Sequence, residues 1–410
     1  MNYHIITYGC QMNKNDSKRI AYLFEESGIY ESSEEKSDFL IINACSVRER
    51  VVDRIRGKIN QLSEEKTLIL TGCVLDEDQK KLGDEFDHIM DIKNLHEWHK
   101  EIDELKELTK KKNYFEIKAK REKPIAYIPI MTGCDNFCSY CAVPYVRGRE
   151  KSRPADEIVE EVERLVKKGF KEIWLLGQNV NSYNKGKKPD FADLLRSVSS
   201  VEGDFWIRFT SSHPKDFSEK IIKAIKSSEK ITDYLNLPVQ SGDNDILQAM
   251  NRPYKIEDYK DIVSNIRSEI PEITLTTDII VGFPGEDERA FENTKKLLQD
   301  IKFDMAYIAR YSPRPQTEAA KIEDTVSNRE KKRRAKELTQ ILKKTAKNKN
   351  KKKIGDTVTF LPTEYKNNLL IGKTKCYKTI KVESERDFSG EFKKAKITQA
   401  TDFGLKGNLI

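Results

Sequence analysis

Apolar positions in the N-terminal third fall into three short runs, at 3–8, 39–43 and 67–71, each ending two residues before a cysteine. The runs are rich in Ile, Leu or Tyr, and polar sequence of helical character follows them, at 16–27 and 49–62. That alternation predicts βαβ units and a parallel sheet covered by helices. Residues 82–123 are charge-rich and carry a predicted helix at 95–112. From residue 125 onward strand patterns recur at 125–131, 172–176, 206–211, 234–237, 274–281 and 305–311. Helical patterns lie between them, among them 155–168 (just after Pro154), 218–227 and 259–269. Six such βα units predict a (β/α)6 partial TIM barrel, with its active site at the C-terminal ends of the strands. Residues 330–353 alternate charge with Ala, Leu and Ile at helical spacing and predict a linking helix. Short strands follow at 357–361, 369–374, 379–382 and 391–399, five or so in all, which predicts a small antiparallel β-barrel. The expected class is therefore α/β in three domains: 1–118 with a parallel sheet, 120–347 with the partial barrel, and 350–410 with the small barrel.

Composition narrows the setting. Charged residues make up 34% of the 410 and hydrophobic ones 37%, and no apolar run approaches the roughly 20 residues of a membrane span. The start, Met1-Asn2-Tyr3-His4-Ile5-Ile6, reads as a strand and not as a signal peptide. Seven cysteines, an odd number, suit a secreted disulfide framework poorly and suit thiolate metal ligands in a reducing cytoplasm well. The net charge of +7 is uneven: residues 330–353 carry twelve Lys/Arg against two Glu, and 354–410 ten against seven acidic residues, which leaves −6 for 1–329. An acidic body with a basic C-terminal quarter suggests contact with a polyanion; a solvated helix face is the plainer alternative.

Six of the cysteines form two groups of three. Cys134, Cys138 and Cys141 follow Cys-x3-Cys-x2-Cys with no fourth Cys or His at ligand spacing nearby. A structural zinc site normally takes four protein ligands, so three thiolates imply either a distant fourth ligand or an exogenous one. An iron–sulfur cubane held by three cysteines leaves one iron free. Cys10, Cys45 and Cys73 each follow a predicted strand, and functional sites in open α/β sheets lie beyond the carboxyl ends of the strands. The three would then converge, although a lone cysteine at a strand end is usually a small buried hydrophobe. Gly9 and Gly72 precede two of them and allow a close turn, and the helices that follow point N-terminal amides toward an anionic guest. In the predicted barrel, polar loops follow the strands: Gly177-Gln178-Asn179-Val180-Asn181, Thr210-Ser211-Ser212-His213-Pro214, Pro238-Val239-Gln240-Ser241-Gly242, and Gly282-Phe283-Pro284-Gly285-Glu286 after Asp278. Singly each reads as a turn; their shared barrel end favours ligand contacts. Arg147, Arg149, Lys151 and Arg153 are cations that could hold a phosphate or carboxylate, or be solvated; His213 reads as structural.

These stretches carry a resemblance. Cys134 to Cys141, with Tyr140 before the third cysteine, resembles the cluster loop of the radical S-adenosylmethionine (SAM) superfamily. Tyr8-Gly9-Cys10-Gln11-Met12-Asn13, Asn43-Ala44-Cys45-Ser46-Val47-Arg48-Glu49 and Thr71-Gly72-Cys73-Val74 resemble the N-terminal motifs of the methylthiotransferases. Residues 382–405 resemble the TRAM module of RNA-modifying enzymes. The resemblance implies two [4Fe-4S] clusters, one on Cys134, Cys138 and Cys141 that cleaves SAM, and an auxiliary one on Cys10, Cys45 and Cys73 whose free iron carries sulfur. It implies SAM contacts at Gly177, Gln178 and Asn179, with Ser211, Gln240 and Asp278 as further pocket candidates. Of the three subfamilies, Gly177-Gln178-Asn179-Val180-Asn181-Ser182-Tyr183 and Arg208-Phe209-Thr210-Ser211-Ser212-His213-Pro214 look like the one that acts on isopentenyladenosine in tRNA; the others act on threonylcarbamoyladenosine in tRNA and on a ribosomal-protein aspartate. Ala44 replaces a usual threonine, and Arg314-Pro315-Gln316-Thr317 a common Arg-Pro-Gly-Thr. The implied reaction is methylthiolation of carbon 2 of isopentenyladenosine beside the tRNA anticodon, with an external electron donor and a sulfur donor as partners and no membrane. Phe360, Tyr365, Tyr377 and Phe388 could stack on bases or fill a core, and Cys376 is not expected to be a ligand. The reading from another class is a non-catalytic RNA-binding protein with two zinc sites.

Overall fold

In the computed structural model, which describes residues 1–45, 50–61, 66–106 and 113–410, the chain divides into two units. The first comprises Met1–Glu122, Met131–Arg153 and Ser312–Lys321; the second comprises Lys123–Ile130, Pro154–Tyr311 and Ile322–Ile410.

The first unit is built on a five-stranded sheet. Its elements are β1 (Asn2–Thr7), α1 (Gln11–Glu26), β2 (Tyr30–Glu31), β3 (Phe39–Cys45), α2 (Arg50–Ile59), β4 (Thr67–Cys73), α3 (Asp76–Leu82) and β5 (His88–Met90). The strand order is β2-β1-β3-β4-β5 and every pairing is parallel. Six of the seven β3 residues are buried, as expected of a central strand covered on both faces. Successive side chains alternate sides. Ile41 and Ile69 accordingly join Ile20, Leu23 and Phe24 of α1 on one face, while Ile42 and Leu70 join Val52 and Ile55 of α2 on the other. The helix expected at 95–112 is, over its described part, a run of 3-10 turns at Ile92–Lys100 with a non-helical Asn94. Asp91 caps Lys93 N, and its carbonyl accepts the Trp98 indole N–H at 3.1 Å, which pins a tighter turn. Residues 107–112, like Ser46–Glu49 of the second cysteine motif and part of the helix expected at 49–62, lie outside the described residues.

After β6 (Ile125–Pro129), the chain forms a short hairpin of the first unit, β7 (Met131–Thr132) with β8 (Lys151–Ser152), enclosing α4 (Val143–Arg147). The strand expected through residue 131 therefore ends early.

The second unit continues from β6 with α5 (Ala155–Lys167), β9 (Glu172–Leu176), α6 (Phe191–Ser199), β10 (Trp206–Phe209), α7 (Glu219–Lys226) and β11 (Tyr234–Asn236). Then come α8 (Asn244–Ala249), α9 (Ile256–Glu269), β12 (Thr274–Val281), α10 (Glu288–Ile301) and β13 (Met305–Arg310). Strands β6, β9 and β10 pair in parallel, as do β11, β12 and β13, and a parallel bridge from Ile207 to Ile231 joins the two sets. All five residues of β9 are buried, and α5 faces inward with Ile158, Val162 and Leu165. This is the partial barrel, with strands and helices alternating.

Helix α11 (Asn328–Lys351) leads to a closed barrel of β14 (Thr357–Lys366), β15 (Leu369–Thr374), β16 (Thr379–Glu383), β17 (Lys393–Ala400) and β18 (Gly404–Leu409). It is antiparallel except for the parallel pair β16–β18. Its core includes Phe360, Leu370, Ile380, Val382 and Ile397, so Phe360 is interior and not a base-stacking surface. Tyr377 is likewise turned inward, against Trp174 and Tyr234. Arg208 fixes this region: it pairs with Glu172 at 3.0 Å and donates to the carbonyls of Lys375 and Thr374 at 2.8 and 2.9 Å. Part of the basic run on α11 is also internal. Arg334 pairs with buried Glu286, and buried Lys331 pairs with Asp324.

Candidate metal centre

Strands β3 and β4 stay in register to their last residues, with Cys45 opposite Cys73. Cys10 is the N-cap of α1, and a side chain added at Gly9 would stand 2.9 Å from the Cys45 β-carbon. The parallel register thus gathers three cysteines distant in sequence at one end of the sheet, at the start of a 16-residue helix. Gly72 (φ +103°) makes the approach possible: a β-carbon there would lie 2.3 Å from the Ala44 carbonyl oxygen.

A buried polar layer supports these thiols. Asn13 Nδ2 donates to Asn43 Oδ1 at 3.1 Å and to the Ala44 carbonyl at 3.0 Å. Asn43 Nδ2 donates back to the Asn13 carbonyl at 2.8 Å and to Ser17 Oγ at 2.9 Å. Beside it, Asp16 accepts from Tyr114 and from Arg147 Nη2, the latter at 2.6 Å, and Arg147 Nε donates to Cys73 Sγ at 3.0 Å. A hydrogen bond from Cys45, helped by the Arg147 charge and opposed by burial, draws the Cys73 thiol down to about 6. The direction favours the thiolate, the form that binds metals.

The other triad lies in the hairpin loop of the same unit. Cys134 N donates to the Gly148 carbonyl at 3.2 Å, Cys141 N to the Cys138 carbonyl at 2.9 Å, and Ala319 N to the Ser139 carbonyl at 2.8 Å. Gly133 (φ +79°) lets the loop double back, since a β-carbon there would meet the Arg149 carbonyl at 2.2 Å. The Arg149 guanidinium covers the Phe137 ring at 5.1 Å. Cys134 and Cys138 are buried, Cys141 half-buried, and none of the seven cysteines is in a disulfide. Among the described residues no three His, Cys, Asp or Glu side chains are drawn together as one metal ion requires. A cubane spreads its ligands over separate iron atoms and asks for a wider set of thiolates.

The other expected site residues lie in the second unit. Gln178 Oε1, Asn179 Oδ1, Asn181 Nδ2, Ser212 Oγ and His213 Nε2, after β9 and β10, are buried with no hydrogen-bond partner among the described residues. Buried polar groups are nearly always paired, so this set suits a polar ligand such as SAM. Ser211 and Gln240 hold left-handed backbone (φ +65° and +72°), strain of the kind concentrated at ligand sites. Gln240 N donates to the Asp278 carbonyl at 2.8 Å, and Asp278 Oδ2 accepts from Asn236 at 3.1 Å. Gly177 directly follows β9. Burial, with the Arg252, Lys215 and Lys185 charges, pushes His213 down to about 2, so it stays neutral and its Nδ1 accepts from Lys215 N at 3.3 Å. Sequence reasoning did not find Asp16, nor the placement of Arg147, which is committed to Cys73 and Asp16 and is not a surface phosphate ligand. Gln316 takes the place of the common glycine at φ +66° and bonds Asp76 at 3.0 Å, beside a buried Arg314–Asp78 pair.

Comparison with known proteins places this arrangement. Residues 128–298 match the radical SAM superfamily, and residues 2–92 match a family described as uncharacterized protein family UPF0004. The radical SAM methyltransferase TsrM from Kitasatospora setae shares the fold with a TM-score of 0.56 at 13% identity, over 78% of this chain and 74% of that one. The cobalamin-dependent radical SAM enzyme OxsB gives 0.52 at 10%, over 78% and 54%. Membership of the radical SAM superfamily carries a [4Fe-4S] cluster and SAM. Full-length relatives go further. The tRNA-2-methylthio-N(6)-dimethylallyladenosine synthase of Caldicellulosiruptor saccharolyticus is 40% identical over all of this chain and 92% of its own length. The enzymes of that name from Carboxydothermus hydrogenoformans and Dictyoglomus thermophilum are 40% and 39% identical, with 99% and 98% of their lengths covered. The chain belongs to the tRNA-2-methylthio-N(6)-dimethylallyladenosine synthase family.

Proposed function

We propose that the protein converts N-isopentenyladenosine beside the tRNA anticodon to its 2-methylthio derivative, replacing the carbon 2 hydrogen by sulfur and methyl. The observation that carries this reading is the gathering of Cys10, Cys45 and Cys73 at one sheet end, in the same unit as the loop of Cys134, Cys138 and Cys141. Sulfur insertion needs a second sulfur-bearing centre, and an ordinary radical SAM enzyme needs one cluster only. When bound, the loop cluster would supply the electron that splits one SAM into methionine and the 5′-deoxyadenosyl radical that takes the carbon 2 hydrogen, while the auxiliary cluster would supply the sulfur and a second SAM its methyl group. Cys134, Cys138 and Cys141 hold the first and Cys10, Cys45 and Cys73 the second. Gly177, Gln178 and Asn179 position SAM, with Ser211, Gln240 and Asp278 in its pocket. Carbon 2 is not activated toward nucleophiles and its hydrogen leaves as an atom, so no general base of matched pKa is needed, which agrees with His213, whose basicity burial and neighbouring cations lower. The target base leaves its stack to react, and residues 350–410 hold the anticodon stem-loop. An external electron donor and sulfur donor complete the cycle in the cytoplasm; no helix among the described residues is long and apolar enough to cross a membrane. The functional division is 1–118, 120–347 and 350–410.

The test is iron and sulfide content of anaerobically reconstituted protein, beside a Cys134/Cys138/Cys141→Ala triple variant. We expect about eight irons falling to about four. About four falling to none would remove the sulfur-inserting site, and a colourless zinc protein would overturn the reading altogether.

A further inference from the structure

We propose that Arg147 is a positioning residue for the auxiliary cluster, holding the Cys73 ligand and raising the reduction potential of that cluster. This rests on the reading that Cys10, Cys45 and Cys73 hold a cluster. Arg147 is the last residue of α4, six positions after Cys141, and is 4% exposed. One end of its guanidinium meets Asp16, itself fully buried, at 2.6 Å, and Nε reaches Cys73 Sγ at 3.0 Å. The segment that carries one triad therefore touches a ligand of the other.

The chemistry of the donors favours a tuning role over simple packing. Burying a guanidinium is costly unless its donors are well used. Arg208, a comparable buried arginine of the second unit, gives its remaining donors to oxygen, the Thr232 hydroxyl and the carbonyls of Thr374 and Lys375. Arg147 instead gives Nε to sulfur, a poor acceptor as a thiol and a good one as a thiolate. A hydrogen bond and a positive charge at a ligating sulfur stabilise the extra electron of a reduced cluster and raise its potential. Asp16 orients the guanidinium and offsets part of its charge, so the two side chains act on the cluster with opposite signs.

The measurement is an EPR-monitored redox titration in the full chain with Cys134, Cys138 and Cys141 changed to Ala, so that only the auxiliary cluster reports. Arg147→Gln is expected to keep about four irons and shift the midpoint to a more negative value. Asp16→Asn, nearly isosteric, leaves the guanidinium charge without its anion and is expected to shift the midpoint the other way. Arg147→Lys keeps charge but loses the directed Nε–H and should fall between wild type and Arg147→Gln. Opposite shifts from two neighbouring substitutions are not what a packing defect produces. Four irons retained with midpoints unmoved would overturn this inference alone, whereas an iron-free Cys134/Cys138/Cys141→Ala parent would remove the auxiliary cluster and this inference with it.

Discussion

Cys134, Cys138 and Cys141 stand within eight residues of one loop, whereas Cys10, Cys45 and Cys73 come from three strand ends spread over 64 residues. The loop triad is shaped by backbone hydrogen bonds close in sequence, such as Cys141 N to the Cys138 carbonyl. The strand-end triad depends on the register of β3 against β4 and on a buried layer of Asn13, Asn43, Ser17, Asp16 and Arg147. One site is mainly local, with the Ala319 N to Ser139 carbonyl bond as a distant tie; the other is a property of the folded sheet. Core damage should therefore separate the two sites.

The largest separation is expected from Asp16→Ala. Unlike Asp16→Asn, whose amide oxygen still accepts from a neighbour, it removes the acceptors of both Arg147 and Tyr114 along with the charge, where the ion pair is 3% and 0% exposed, and breaking such a buried pair costs about 3–5 kcal/mol. Denaturant unfolding of the apo chain should show that loss. Reconstituted protein should keep the loop cluster and lose most iron at the other. Equal loss from both triads would mean that the loop depends on the same buried layer.

A smaller and more symmetrical effect comes from the glycines that precede each site. Gly72→Ala places a β-carbon against the Ala44 carbonyl, and Gly133→Ala places one against the Arg149 carbonyl. Positive φ and the backbone contact together should cost roughly 2–3 kcal/mol in each case. The readout is which EPR signal survives: Gly72→Ala should spare the loop cluster and Gly133→Ala the auxiliary one. If either change removed both signals, the sites would share one scaffold.

How much of this was legible in the sequence follows from the same contrast. The spacing of Cys134, Cys138 and Cys141 is local, so it could be read directly. The convergence of Cys10, Cys45 and Cys73 could be read because each follows a strand pattern, and parallel strands of one sheet end on the same side. The β12 span Thr274–Val281 and the β9 span Glu172–Leu176 came through unchanged: β9 carries a continuous apolar run from Ile173 to Leu176, as a strand covered on both faces does, and β12 is mostly β-branched Thr, Ile and Val, which favour strand. At 95–112 the apolar period was sound, because Leu95, Trp98, Ile102 and Leu105 all reach the core, but period alone does not distinguish an α-helix from tighter turns. Arg147 was illegible for another reason. It sits among Arg149, Lys151 and Arg153, and nothing in composition marks which cation turns inward to a carboxylate 131 residues away. Arg208 likewise stood inside a stretch read for substrate preference and is a structural tie.

The smallest expected effect lies at the surface of the loop triad, where Asp135 pairs with Arg149 at 3.3 Å and accepts from Glu150 N at 3.1 Å. These side chains are 49% and 70% exposed, so water and salt screen the pair, and exposed pairs contribute about 0–1 kcal/mol. Asp135→Ala should therefore lower the unfolding free energy by less than about 1 kcal/mol, with the difference from wild type shrinking as salt is raised, and should leave iron at both sites. The Arg149 guanidinium would still rest on Phe137, and the hairpin bonds that place Cys134 and Cys141 do not involve the Asp135 side chain. A loss as large as that of Asp16→Ala would show that side-chain charge, and not local backbone bonding, shapes this loop, and the contrast between the two triads would fail.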